Sequence, residues 1–325
     1  MYKINKVLIT GGAGFIGSNF IEYYLRKHSD RNIICVDKLT YAGKLENIED
    51  FFSNTNFKFY KEDICNKSGI DKIIKNEKPD IIINFAAESH VDRSIDCPTY
   101  FYESNIKGTL NLMDCAMKSS VKRFHQVSTD EVYGDLGKTS KNIKFLETSQ
   151  IKPSNPYSAS KASADLLALS YYRTFGFPIT ISRCSNNYGK KQNTEKYIPK
   201  IITNILKNKK IPIYGTGENI RDWIHVSDHC VAIDYIITEG KIGEIYNIGA
   251  DNEISNLDIA KTICDIFGVN YSILKFVDDR KGHDYRYGID ATKIKNELNW
   301  RSKINFKVGL KSTIKWYMDN INYGK

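Results

Sequence analysis

Nothing in the 325 residues approaches the ~18–20 consecutive apolar positions that cross a bilayer, which excludes a membrane-spanning helix. The start, Met1 to Lys6, has none of the apolar run of a secretory signal, so a cytoplasmic location is expected. The seven cysteines are odd in number, widely spaced from Cys35 to Cys264, and never stand as C-x-x-C. That argues against a disulfide framework and against structural zinc, and no metal site is expected. Only seven prolines occur, and no Pro/Gly/Ser-rich stretch separates one part of the chain from another. A basic tail is missing too. Net charge is +9, but Lys and Arg are mixed with Asp and Glu throughout, without a nucleic-acid-binding motif. The excess reads as a solvated basic surface with no nucleic-acid partner, and it favours a small anion such as a diphosphate.

What is present is a globular composition, 41% hydrophobic and 12% aromatic, in a chain long enough to bury a large core. Short β-branched runs at Val7–Thr10, Ile33–Asp37, Phe57–Tyr60, Ile81–Phe85, Phe124–Ser128 and Ile179–Arg183 read as strands. They alternate with helical patterns near Gly14–Lys27, Lys67–Asn76, Tyr100–Lys118 and Ser158–Phe175. Such alternation predicts an α/β fold, a Rossmann-like doubly wound parallel sheet. After about Asn186 the pattern changes to isolated elements, with helices expected at Lys196–Lys207, Val226–Glu239, Asn256–Phe267 and Val308–Asn320. The division is therefore 1–185 for a dinucleotide-binding domain and 186–325 for a smaller α/β substrate lobe. Without a linker between them, the two are expected to exchange segments.

The first strand runs into Gly11-Gly12-Ala13-Gly14-Phe15-Ile16-Gly17 and then a helix. Glycines there allow a tight turn and close approach to a pyrophosphate, and the helix start offers oriented N–H groups and positive potential. Asp37, twenty residues past Gly17 at the next strand end, can accept hydrogen bonds from ribose hydroxyls and would repel a 2′-phosphate. The cofactor expected is NAD rather than NADP.

Tyr157 and Lys161 lie four apart at the start of a helix after Pro153 and Pro156, so the phenol and ammonium share a face. A cation and an oxidised nicotinamide nearby would lower the tyrosine pKa and make it a base for an alcohol. Thr129-Asp130-Glu131 follows a strand at its carboxyl end, where open α/β sheets bind ligands. That triplet offers a hydroxyl, a carboxylic acid and a carboxylate, acid/base equipment that a simple dehydrogenase does not need.

Together with the glycine turn, Tyr157-x-x-x-Lys161 resembles the extended short-chain dehydrogenase/reductase family. Ser128 to Gly134, Ala86 to Ser94, Asp37 to Gly43, Arg183 to Gly189, Arg221 to Val226 and Gly282-His283-Asp284 resemble its nucleotide-sugar 4,6-dehydratases. The resemblance covers nearly the whole chain. It implies dTDP-glucose as substrate, a tightly bound NAD regenerated in each cycle, and supply of deoxysugar precursors, rhamnose among them. It also implies a homodimer formed through the helices near Tyr100–Lys118 and Ser158–Phe175.

Carried over residue by residue, the resemblance adds Lys38, Thr40, Asp63, Ile64, Ala86, Ala87, Ser89, Ser104 and Asn187 to the cofactor contacts, Asp63-Ile64 at the adenine. It assigns His90, Thr129, Asn186, Lys196, Tyr197, Pro212, Tyr214, Arg221, Asn252, Arg280 and His283 to the substrate. Arg221 is the preferred diphosphate clamp, because a guanidinium fork matches a pair of phosphate oxygens. His90 reads equally as a satisfied buried histidine. Three positions depart from the family pattern: Lys190 and Lys281 stand where proline is usual, and Tyr285 where a basic residue is common. They put fine substrate specificity in question, not the chemistry. Two other enzyme readings stay open, dehydration of a different NDP-hexose and 4-epimerisation. A silent nucleotide-sugar-binding scaffold is a further alternative.

Overall fold

A computed structural model describes residues 4–138 and 142–323; Met1–Lys3 of the Met1–Lys6 start lie outside them. The chain opens β1 (Lys6–Thr10), α1 (Phe15–Lys27), β2 (Asn32–Asp37), β3 (Phe57–Lys61), α2 (Lys67–Glu77) and β4 (Ile81–Asn84). Short helices α3 (Val91–Asp96) and α4 (Pro98–Phe101) follow, then a π-helical stretch, Tyr102–Gly108, leading into α5 (Thr109–Met117). The first half closes with β5 (Arg123–Thr129), α6 (Pro156–Phe175) and β6 (Ile179–Cys184).

Beyond it come β7 (Asn186–Tyr188), α7 (Tyr197–Leu206), β8 (Ile211–Tyr214), β9 (Ile220–His225), α8 (Val226–Glu239) and β10 (Ile245–Ile248). The chain ends with β11 (Glu253–Ser255), α9 (Asn256–Phe267), β12 (Leu274–Val277), α10 (Thr292–Leu298) and α11 (Phe306–Asp319). No helix of the described residues is long and apolar enough to cross a membrane.

The main sheet has seven strands in the order β10-β6-β5-β4-β1-β2-β3, every pair parallel. Parallel strands covered by helices on both faces are apolar on both, as β4 shows with Ile81, Ile82 and Ile83 fully buried. On one face Ile9, Cys35 and Ile83 pack with Phe20 and Tyr24 of α1 and Ile233 and Ile236 of α8. On the other, Leu8, Ile34 and Ile82 meet Ile70 and Ile74 of α2, Leu112 and Met113 of α5, and Ala168 of α6. This is the doubly wound parallel sheet expected. Strand order reverses between β1 and β4, the place where such sheets open a binding crevice.

Three elements from after residue 185 belong to this layer. β10 pairs with β6 as the edge strand, α8 lies beside α1 in the same core, and α10 adds Ile294 and Leu298 to it. The remainder builds a second lobe on the sheets β11-β9-β7 and β12-β8, with Ile198, Ile202, Ile259, Ile263, Leu310 and Ile314 of α7, α9 and α11 in its core.

Candidate active site

The floor of the crevice is a buried polar network. Thr10 Oγ1 donates to Asn84 Oδ1 at 2.6 Å, and Asn84 Nδ2 donates to Gln126 Oε1 at 2.8 Å and Thr109 Oγ1 at 3.0 Å. The ends of β1 and β4 are thereby riveted to the middle of β5 and to α5. Above them the glycine turn passes very close to β4. Gly11 has φ +67°, and a Cβ on it would stand 2.6 Å from the Ala86 nitrogen, which only glycine avoids. A Cβ on Gly17 would lie 2.4 Å from the Gly11 carbonyl oxygen.

Gly11, Gly14, Phe15, Ile16 and Gly17 line the long cleft at this turn. Gly12 faces the other way, toward Cys35 Sγ and Ile21, and serves packing. At the end of β2, Asp37 Oδ2 accepts from the Ala13 amide at 3.0 Å and Oδ1 from the Leu39 amide at 2.8 Å. Burial nevertheless raises its pKa above the usual carboxylate value. Lys38, Thr40, Asp63 and Ile64 line the same end, with Lys38 Nζ 3.6 Å from Asp63 Oδ2. Ala86, Ala87, Ser89, Ser104 and Asn187 continue the wall. Ser104 comes from the π-helical stretch, a helix irregularity common at functional sites.

At the far end, Thr129, Asp130 and Glu131 follow β5. Thr129 caps the short 3₁₀ turn Asp130–Tyr133 by accepting from the Glu131 amide at 3.3 Å, and its hydroxyl meets Asp130 Oδ1 at 3.3 Å. Asp130 is 1% exposed, and its Oδ2 has no partner. Burial, then the charge of Glu131, pushes its pKa well up. Burial raises Glu131 as well, but Arg221, Lys196 and Arg280 pull against it. Opposite, α6 is started by Pro156 and a reciprocal Asn155–Ser158 capping box, which fixes Tyr157 and Lys161 one turn apart, both lining the cleft.

Burial and the charge of Glu131 push the Tyr157 pKa well up, against a hydrogen bond with Thr129. The Lys161 ammonium donates to the Val127 carbonyl oxygen at 2.7 Å, and burial lowers its own pKa. The lysine charge is thus engaged with the main chain, and the lowering expected for the tyrosine rests on the oxidised nicotinamide.

A second cleft adjoins the first, and Glu131, Asn186 and Glu195 line both. His90, Tyr197, Pro212, Tyr214, Arg221, Arg280 and His283 line the second. Lys196 lines the first, its ammonium bonded to the Ser89 carbonyl oxygen at 2.6 Å. His90 is held near pKa 4, by burial first and then the Lys196 charge, and its Nδ1 accepts from the Arg93 amide. Arg280 pairs with Asp92, and His283 Nδ1 lies 2.6 Å from Asp279 Oδ1.

Arg221 is less free than a clamp would be. Its guanidinium donates to the main-chain oxygens of Ile220, Asp284 and Tyr285 at 2.7, 2.9 and 3.2 Å, and lies over the Tyr287 ring at 4.1 Å. Asn252 lines neither cleft; its amides serve Asp222 and the Trp223 carbonyl. The departing residues point elsewhere. Lys190 Nζ meets both oxygens of Glu22 at 2.8 and 2.7 Å, Lys281 is exposed, and the Tyr285 ring lies under Lys138 at 4.9 Å.

Asp92, Glu195, Trp223 and Tyr287 also line the second cleft and were not singled out in the sequence. Asp92 and Trp223 sit inside the quoted Ala86–Ser94 and Arg221–Val226 stretches. Nothing in local pattern marks the other two. The seven cysteines are all free, and no metal-binding cluster occurs among the described residues.

A seven-stranded parallel sheet with a glycine turn at its switch point and a Tyr–Lys pair facing it defines an enzyme of the short-chain dehydrogenase/reductase class. Within that class, the model of the GDP-mannose 4,6 dehydratase family matches residues 8–313, and the chain belongs to this family. It is 44% identical over 337 residues to the dTDP-glucose 4,6-dehydratase of Neisseria meningitidis serogroup B, across 98% of this chain and 94% of that one. Among solved structures it resembles the dTDP-glucose 4,6-dehydratase of Bacillus anthracis in complex with NAD, with TM-score 0.91, 44% identity and 98% of each chain covered. DesIV, the dTDP-glucose 4,6-dehydratase of Streptomyces venezuelae with NAD and TYD bound, gives TM-score 0.94 and 41% identity over 98% of each chain. The resemblance drawn from the sequence motifs is borne out.

Proposed function

We propose that the protein is a hydro-lyase that converts dTDP-glucose to dTDP-4-keto-6-deoxyglucose and water, using a bound NAD that each cycle restores. The observation that carries this reading is the position of Glu131. It lines both clefts, next to a buried Asp130 whose pKa is pushed well up and within the charge field of Tyr157. A 4-epimerase has no use for two carboxyl groups of unequal acidity beside its redox pair. The thymidine nucleotide is taken from the relatives' names.

The first cleft fits a dinucleotide. A Cβ on Gly14 would meet only the Gly11 carbonyl oxygen, at 3.2 Å, so no side chain stands between the start of α1 and a pyrophosphate. When bound, NAD supplies the two-electron acceptor that oxidises C4 and is restored as C6 is reduced. The glycine turn would hold the pyrophosphate, Asp37 the adenosine ribose, and Asp63 and Ile64 the adenine, with Lys38, Thr40, Ala86, Ala87, Ser89, Ser104 and Asn187 completing the walls.

Tyr157 takes the C4 hydroxyl proton while Thr129 hydrogen-bonds the oxygen and Lys161 orients the pair. The 4-ketone acidifies C5, whose proton passes to Glu131. Asp130 protonates the C6 hydroxyl, which leaves as water. Glu131 returns its proton to C5 as C6 becomes a methyl group. Over the cycle, the proton gained at Tyr157 balances the one lost from Asp130. His90, Asn186, Lys196, Tyr197, Pro212, Tyr214, Arg280 and His283 hold the substrate. Arg221 contributes its two uncommitted N–H groups, and Asn252 acts only through the backbone it braces.

The enzyme acts in the cytoplasm as a homodimer. Exposed apolar side chains on the α4–α5 stretch and α6, Tyr100 at 64%, Leu166 at 55% and Phe175 at 58%, support an interface there. Light scattering giving a monomer would refute it.

The deciding experiment is mass spectrometry of the purified protein with dTDP-glucose and no added NAD, repeated with UDP-, CDP- and GDP-sugars. Loss of one water over many turnovers from dTDP-glucose is expected. Water loss from another nucleotide sugar alone would replace the substrate, and none from any would overturn the reaction.

A further inference from the structure

α8 comes from beyond residue 185, yet one of its side chains reaches the catalytic floor. His229 is fully buried, with Nδ1 2.9 Å from Asn187 Oδ1. The Asn187 amide nitrogen donates to the Ser185 carbonyl oxygen at 3.0 Å and to Cys184 Sγ at 3.4 Å. Cys184 Sγ in turn donates to the Ser128 carbonyl oxygen at 3.4 Å. Ser128, Cys184, Ser185 and Asn187 all line the first cleft.

The direction of these bonds assigns the proton. Because the Asn187 nitrogen faces a carbonyl oxygen, its own oxygen faces His229, and the imidazole must carry hydrogen on Nδ1. Consistently, Nε2 is buried without a partner, which suits a bare lone pair better than an N–H. With the proton on the other nitrogen, Asn187 would turn over and set its oxygen against the Ser185 carbonyl.

We infer that His229 is a positioning residue for the cofactor: its single N–H fixes the orientation of the Asn187 amide and, through Cys184, the ends of β5 and β6 against which the redox end of the dinucleotide seats. This deepens the reading above and rests on it for the identity of the cofactor alone. His229 lines neither cleft.

The test compares His229→Leu, which removes the donor, with His229→Asn, whose amide nitrogen falls at the depth of Nδ1, and His229→Gln, whose amide nitrogen falls at the depth of Nε2. NAD released per chain on denaturation is measured for each full-length purified protein, with melting temperature as a control. An unpaired buried acceptor costs enough to weaken retention roughly tenfold. Leu and Gln are expected to lose NAD to that extent, Asn to keep it, and excess NAD to restore turnover without changing KM for the nucleotide sugar. Wild-type retention in Leu, or equal loss in Asn and Gln, would overturn the inference. If Leu does not fold, the Asn and Gln pair still decides. The ratio of NAD to chain needs no substrate, so a wrong nucleotide sugar would leave this result standing.

Discussion

Asp130 and Glu131 are consecutive in the chain, yet their carboxyl groups meet opposite surroundings. One Asp130 oxygen has a hydroxyl at 3.3 Å and the other has no partner. Glu131 sits within the fields of Arg221, Lys196 and Arg280. Adjacent acids that repel each other share their ionisation unequally. Three cations oppose the rise at Glu131 and one of them, Arg221, the larger rise at Asp130, so Glu131 is the easier of the two to ionise, a physical reason for the acid and base roles.

Glu131→Gln is expected to cut water loss by about 10²-fold or more while oxidation at C4 continues. Reduced nicotinamide absorbance should then accumulate on adding dTDP-glucose. An unchanged rate of water loss would remove Glu131 from the base role.

The pH dependence follows from the directions of the two shifts. Activity should fall on the acid side as Glu131 takes a proton, at a pH above the ordinary carboxylate range, and on the alkaline side as Asp130 loses its own. Stability runs one way only. A carboxyl whose pKa is raised on folding contributes stability below its unfolded value, and that contribution is lost as pH rises through the folded value. Asp130→Asn should therefore melt roughly 2 °C or more above wild type at neutral pH while losing dehydration. A lower melting temperature in calorimetry would contradict the assignment.

Gly43 bears on the cofactor through Asp37. A Cβ there would lie 2.5 Å from Asp37 Oδ1, with the next two contacts at 3.1 and 3.2 Å on the same carboxylate. Gly43→Ala should displace that group and lower NAD retained on purification severalfold, with the chemistry on NAD-saturated protein unaltered. Full retention would show that Asp37 has room to yield.

Lys190 departs from the family pattern but faces Glu22 on α1, where Arg26 also contacts the carboxylate at 2.8 Å. Partly exposed pairs contribute about 0–1 kcal/mol, so Lys190→Ala should leave KM for the nucleotide sugar unchanged and stability nearly so. A shift in KM beyond about twofold would return this residue to the substrate question.

The first six main-sheet strands and the glycine turn were legible because each carries a local signal, a short run rich in β-branched or aromatic residues, or closely spaced glycines after one. β10 was not, since four residues, Ile245–Ile248, have no period long enough to read, and their sheet is chosen by β6. The π-helical turn around Ser104 left no mark on an otherwise helical pattern. Arg221 was legible as a cation in a motif but not as one whose donors are taken by three carbonyl oxygens. The rise in the Tyr157 pKa escaped for a related reason: residue spacing predicts which charges are near, whereas burial is set by the whole fold.

Since β10 completes the main sheet and α8 covers one of its faces, the dinucleotide half has no autonomous boundary at residue 185. A chain cut there would lose an edge strand, Asn187 and the imidazole beneath it together, and would expose Ile181 and the β6 main chain. Cofactor capture and sugar recognition thus share one sheet, and a protein divided at residue 185 is expected to retain neither.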